Sequence, residues 1–295
     1  MFACCDRRYD MNKWSMETWM PAIAEQDGAV YDGKLFCLNH KAQCLVYDLT
    51  EKKLLGKYML DKSDVMNPHA NAVCFSSTYY VESDRYPLLY VNVYNNYRSA
   101  EDRMEGTCCV YRITETDGDF AFQLVQVLRI EFVDNLDLWK SKADNSDVRP
   151  YGNFVVDTDH GELYAFVMRD ANRTTRVFRF RLPQLSEGTY SERYGCNVFM
   201  LGKGDILDHF DTPYMNYMQG CCYWDSKILS VEGFGAGSNA EPVLRIIDLR
   251  DKAETRVINL AECQLNKEPE LIYVDNGITY YAAEDGYLRI LNLCE

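Results

Sequence analysis

The sequence predicts an all-β fold: a β-propeller of five blades with four antiparallel strands apiece, closed by its N-terminal segment. Three observations lead there. A proline-led strand pattern recurs five times along the 295 residues, each recurrence is followed by hairpin-linked strands, and no long stretch carries a helical period. Four-stranded sheets repeated around an axis leave only short, protected strand edges. Six blades is the alternative, and it requires one of the two long polar connections to pair as a strand.

The innermost strand of each blade follows a proline: Pro21 (PAIAEQDGAVYDG), Pro68 (PHANAVCF), Pro150 (PYGNFVVDTDHG), Pro213 (PYMNYMQGCCYWD) and Pro269 (PELIYVDNG). Five of the eight prolines thus share one repeat position, where a first strand residue need not donate to the ladder. Second strands are predicted over 34–38, 87–93, 162–167, 227–231 and 278–282, after turns that include Asp32-Gly33, His160-Gly161 and Asn276-Gly277. Third strands follow over 44–49, 109–113, 177–182, 244–249 and 288–293, and fourth strands over 54–60, 122–130, 198–201 and 255–260. The fifth repeat ends at Glu295 without a fourth strand, whereas residues 1 to about 14 precede the first repeat, so the N-terminal segment is assigned the missing outer strand. Only Met11 to Met20 could form a short helix. Successive prolines stand 47, 82, 63 and 56 residues apart, against roughly 40 to 50 per compact blade. The excess falls in 133–149 and 184–196, polar stretches read as loops between blades. One domain is therefore expected over residues 1–295, with blades starting near Pro21, Pro68, Pro150, Pro213 and Pro269.

Composition narrows the function classes. A formal charge of −14 argues against a nucleic-acid surface. With 47% apolar and 26% charged residues the chain can bury a core, and no apolar run reaches the roughly 18 residues of a membrane span. The first ten residues, MFACCDRRYD, lack the apolar core of a signal peptide, which points to the cytoplasm unless a leader has been removed. The twelve cysteines include the doublets Cys4-Cys5, Cys108-Cys109 and Cys221-Cys222 but no C-x-x-C pair, so they read as reduced, buried thiols.

In a propeller the innermost strands line a central channel, and the loops leading into them open on one face. Three successive repeats share P-[HY]-x-N: Pro68-His69-Ala70-Asn71, Pro150-Tyr151-Gly152-Asn153 and Pro213-Tyr214-Met215-Asn216. His69, Tyr151 and Tyr214 would then form one arc at the channel mouth, with Asn71, Asn153 and Asn216 beside it. Amides offer a donor and an acceptor together and aromatic edges add apolar contact, which suits a small polar ligand such as a sugar. The same asparagines could instead bond a neighbouring blade's backbone, because buried polar groups demand partners. The last repeat departs from the pattern and offers Glu270 as the obvious carboxylate of a one-sided pocket. Asp205 to Asp211 (DILDHFD) places a histidine among carboxylates, but no second His or Cys stands close, and a solvated loop explains it.

Strands such as CLVYDLTEKKLLGKY and VLRIIDLRDKAETRVINL resemble β-propellers of the broad WD-repeat, quinoprotein-like and gluconolactonase-like assemblage. The resemblance covers nearly the whole chain and is generic: the third strands end in Tyr47-Asp48, Arg181-Leu182 and Ile247-Asp248, with no Trp-Asp signature. Gluconolactonase-like propellers hold a divalent metal on a Glu, Asn and Asp set, which Asn153, Asn216 and Glu270 imitate in part. Five-bladed glycosidases place an acid and a base on separate blades, and here only Glu25, Asp27, Asp211 and Glu270 lie near the channel segments. The expectation is a non-catalytic recognition or scaffold propeller that binds a small polar molecule or a protein partner at the channel face, with no cofactor and no metal. The alternative is a channel-sited hydrolase of a carbohydrate or lactone, with or without a metal. Two convergent carboxylates would favour the enzyme.

Overall fold

A computed structural model describes residues 14–66, 69–93, 104, 106–131, 149–169 and 173–293. Its first strand, β1 (Trp14–Pro21), stands apart from the sheet that follows it in sequence. Blade one is β2 (Gly28–Tyr31), β3 (Lys34–Leu38), β4 (Gln43–Asp48) and β5 (Lys53–Met59). Blade two is β6 (Val73–Phe75), β7 (Leu89–Val93), β8 (Thr107–Thr116) and β9 (Asp119–Ile130). Blade three takes β10 (Arg149–Asp157), β11 (Glu162–Arg169) and β12 (Thr174–Arg181). After β13 (Thr189–Ser191) and β14 (Cys196–Leu201), β15 (Ile206–Pro213) completes that blade. Blade four is β16 (Met218–Trp224), β17 (Lys227–Glu232), β18 (Val243–Asp248) and β19 (Ala253–Asn259). Blade five is β20 (Pro269–Asp275), β21 (Ile278–Ala283) and β22 (Tyr287–Leu293), with β1 outermost. All pairings among the four strands named for each blade are antiparallel, and β20 packs back against β2, so the five blades form a ring.

Trp14 faces Leu293 and Pro21 faces Tyr287 across β1 and β22. Thus Trp14 to Met20, which the sequence left open to a short helix, is extended, while residues 1–13 lie outside the described residues. The fourth strand of blade three is a correction. It is Ile206–Pro213, not 198–201, and the latter segment pairs in parallel with β9 instead. With β13 paired to β14, part of the 184–196 stretch becomes strand but widens blade two to six strands rather than founding a sixth blade. The DILDHFD segment is therefore an outer strand with alternating exposure, where Asp211 pairs with Arg176 and Asp208 with Lys252.

The turns explain why the chain doubles back where it does. Asp32-Gly33 and Asn276-Gly277 have positive φ at both positions, as a two-residue hairpin turn of the type I′ class requires. Asp225 and Ser226 do the same at φ 47° and 56° without a glycine. The core consists of five apolar layers, one between each pair of adjacent blades. Because neighbours on a strand face opposite ways, Cys109 joins the layer between blades one and two while Cys108 joins that between two and three. Cys221 and Cys222 divide likewise, and the nine described cysteines are all free thiols. Among the described residues no helix is long and apolar enough to cross a membrane.

Candidate functional site

The inner strands β2, β6, β10, β16 and β20 begin at one mouth of the channel, termed the front, and end at the other, the rear. Just inside the front mouth the channel is plugged by polar side chains. Asp27, fully buried at the start of β2, accepts the Val73 N–H at 2.9 Å and the Cys221 N–H at 3.3 Å through Oδ2, so one carboxyl ties blade one to blades two and four. Burial pushes its pKa well up, against the opposing pull of those N–H groups and of the Gly28 and Ile272 amides. The carboxyl is thereby held towards its neutral form. Gly220 makes this approach possible: a Cβ there would lie 2.8 Å from the Glu270 carbonyl and 2.9 Å from Asp27 Oδ1.

Asn71 and Asn153 meet at the plug. Asn153 Nδ2 donates to the Asn71 carbonyl at 3.1 Å, and Asn71 Nδ2 donates to the Met218 carbonyl at 2.8 Å and to Gln219 Oε1 at 3.2 Å. Gln219 Nε2 in turn donates to Glu268 Oε1. Above the plug, on blade five, Glu268, Glu270 and Glu284 each bring an oxygen within 4.8 Å of the others. Two ionised carboxylates at that separation repel by about 3 kcal/mol at an effective dielectric of about 20. Glu270 is only 2% exposed. Burial raises its pKa well above the ordinary value, and the charges of Glu268, Glu284, Asp27 and Glu25 push the same way. Glu268 is raised too, by burial and then by Glu284. On the neighbouring rim Glu25 pairs with His40, and burial, followed by the charge of His40, lowers the basicity of His69.

Among the described residues, four buried side-chain oxygens at this mouth have no hydrogen-bond partner: Gln26 Oε1, Asp27 Oδ1, Asn71 Oδ1 and Glu270 Oε2. Unpaired buried acceptors are costly, so they call for a donor from outside the chain.

The residues singled out by sequence are placed as follows. Asn71 and Asn153 are in direct contact, Glu270 joins them through Glu268 and Gln219, and His69 lies half-buried on the same side. Asn216 makes a different contact: its backbone N–H donates to Glu232 Oε2 at 3.3 Å, and Gln219, three residues on, bonds Asn71 in its stead. Tyr214 is half-buried under the Arg173 guanidinium, 3.9 Å from its ring centroid. The side chain of Tyr151 and all of Pro68 lie outside the described residues. Sequence reasoning missed Gln219, Glu268 and Glu284. A signal existed for the carboxylates: counting outward from the Asn276-Gly277 turn pairs Pro269 with Glu284, which puts Glu268 and Glu270 on either side of that pair, and a bulge in the structure shifts the pairing by one, to Pro269 and Ala283.

The rear mouth holds a separate cavity of about 220 Å³ lined by Tyr223, Trp224, Tyr273, Asp159, Asp225 and Asp275, among others. No protein-family model matches the chain, and no curated protein matches it in sequence. The chain is similar to the glutaminyl cyclase of Myxococcus xanthus, with a TM-score of 0.50, 10% sequence identity and 95% of each chain covered. At that identity the likeness is one of fold, and that neighbour too is a propeller.

Proposed function

We propose that the chain binds a small, hydrogen-bond-donating molecule, amine-bearing in the first instance, at the front mouth of its channel. The observation that carries this reading is the set of four buried side-chain oxygens without a partner among the described residues, drawn from blades one, two and five. A ligand that presents N–H groups satisfies them, and the clustered carboxyl oxygens of Glu268, Glu270 and Glu284 offer it further acceptors. A protein partner has no comparable observation in its support. The test is a thermal-shift screen of small amines, amides and polyols, followed by calorimetry on the hits. Hits should lose at least tenfold in affinity in Gln26→Leu or Glu270→Gln and be unaffected by Trp224→Ala at the rear mouth. Hits that depend on Trp224 and ignore Gln26 would refute the assignment.

A catalytic reading has its own support. Glu270 is held towards its protonated form beside groups that attract an ammonium, and the M. xanthus neighbour is by name a glutaminyl cyclase. In a cyclisation of that kind the amine nitrogen of a glutaminyl group attacks its own side-chain carbonyl. The bond from that carbonyl carbon to the side-chain nitrogen breaks, ammonia leaves with a proton that a carboxylic acid can provide, and the attacking nitrogen gives a proton back to the carboxylate so formed. Incubation with a peptide that begins with glutamine should then release ammonia, and Glu270→Gln should abolish the release. Binding without turnover leaves the recognition reading alone in place.

A further inference from the structure

We propose that Glu268, Glu270 and Glu284 hold a hard divalent cation of the calcium class on the blade-five rim of the front mouth. Calcium takes oxygens at about 2.3–2.6 Å in flexible geometry, so two of its ligand atoms stand no more than about 5 Å apart. The three carboxylate oxygens here lie within 4.8 Å of one another, which one such ion can span. An acidic cluster alone would say little, but Glu270 adds an independent sign: at 2% exposure its Oε2 has no hydrogen-bond partner among the described residues. A buried carboxylate oxygen in that state lacks a cation or a donor. The charged groups that act on Glu270 are carboxylates throughout: Glu268, Glu284, Asp27 and Glu25.

The framework around the three is built rather than incidental. The Glu284 N–H donates to the Glu268 carbonyl at 3.0 Å, which locks the segment leading into β20 to the turn between β21 and β22. Gln219 holds Glu268 Oε1, and Asn71 holds Gln219, so a chain of amides from blades two and four orients a ligand on blade five. Such outer partners fix the direction of metal-binding side chains. An all-oxygen donor set selects a hard ion over zinc or copper, which prefer nitrogen and sulfur. The remaining coordination positions would fall to water or to an oxygen or nitrogen of the channel ligand.

This site shares its mouth with the ligand reading but does not depend on it, and the experiment separates the two. The full chain, stripped of metal with chelator, is titrated with CaCl2, MgCl2 and MnCl2 by calorimetry and with TbCl3 by luminescence, with no organic ligand present. One saturable calcium site is expected, weakened at least tenfold in Glu270→Gln and in Glu284→Gln and unchanged in Glu51→Gln, an exposed residue in the blade-one turn between β4 and β5. Glu284 is exposed, so its variant remains informative if Glu270→Gln fails to fold. No saturable binding at millimolar calcium, or binding that Glu284→Gln leaves intact, overturns the proposal. Amine binding that persists in chelator would uphold the ligand reading whatever the outcome for the metal.

Discussion

Replacing Asp27 with alanine tests the claim that one carboxyl organises the channel. Its Oδ2 accepts the Val73 N–H at 2.9 Å and the Cys221 N–H at 3.3 Å, both buried. Each donor left without a partner costs about 1–3 kcal/mol, so Asp27→Ala is expected to lose about 2–6 kcal/mol. At about 2 °C per kcal/mol for a domain of this size, the melting midpoint should fall by at least about 4 °C. Asp27→Asn keeps an oxygen in place and resembles the neutral acid, so it should fold with nearly the parent stability at low pH. The two variants also differ in their pH response. A carboxyl whose pKa is raised in the folded chain binds more protons there than in the unfolded chain, so stability is greatest below the unfolded value of about 3.9 and declines as pH rises towards the folded value. Asp27→Asn cannot ionise and escapes that decline. Thermal melts of parent and variants between pH 4 and 8 should show the Asp27→Asn protein gaining on the parent as pH rises. An Asp27→Ala protein within about 1 kcal/mol of the parent would refute the reasoning, because two buried donors cannot both be lost so cheaply.

Gly220→Ala should destabilise by about 1–3 kcal/mol, because its Cβ would meet the Glu270 carbonyl at 2.8 Å and Asp27 Oδ1 at 2.9 Å; urea denaturation measures it. Glu232→Ala removes one of the two carboxylate partners of the buried Arg245, which donates to both Glu232 oxygens at 2.6 and 3.0 Å and also pairs with Glu254, and should cost about 1.5–3 kcal/mol in the same assay. A larger effect on ligand affinity than on stability would be unexpected for Glu232→Ala, which leaves the four unpaired oxygens of the front mouth untouched.

Much of the fold was legible because proline, turn residues and alternating strands recur together. The second and third strands from Lys34 to Leu293 fall close to their expected places. What failed did so for a physical reason. Segment 198–201 is apolar throughout and 206–213 is half-polar, so the former reads as the better strand, and only the long-range parallel pairing of Val198 with Val127 decides which belongs to blade three. Asp225 and Ser226 make a tight turn that lacks the glycine on which turn recognition leans. At the site, the P-x-x-N spacing treats Asn153 and Asn216 as equivalents. Yet β10 already runs through Asn153, whereas Asn216 precedes β16, so Gln219 reaches the plug in its place. The carboxylates on blade five were hidden for another reason: Glu284 is fourteen residues from Glu270 in sequence and adjacent only through hairpin register.

The central claim is that the front mouth, with its unpaired acceptors, is where this propeller takes its ligand. The most direct measurement is a crystal structure of the chain with the tightest hit from the amine, amide and polyol screen. The ligand should place a nitrogen or hydroxyl donor about 3 Å from at least two of Gln26 Oε1, Asp27 Oδ1, Asn71 Oδ1 and Glu270 Oε2. A ligand seated instead in the rear cavity against Trp224 and Asp275, with those four oxygens bonded to buried water alone, would contradict the account.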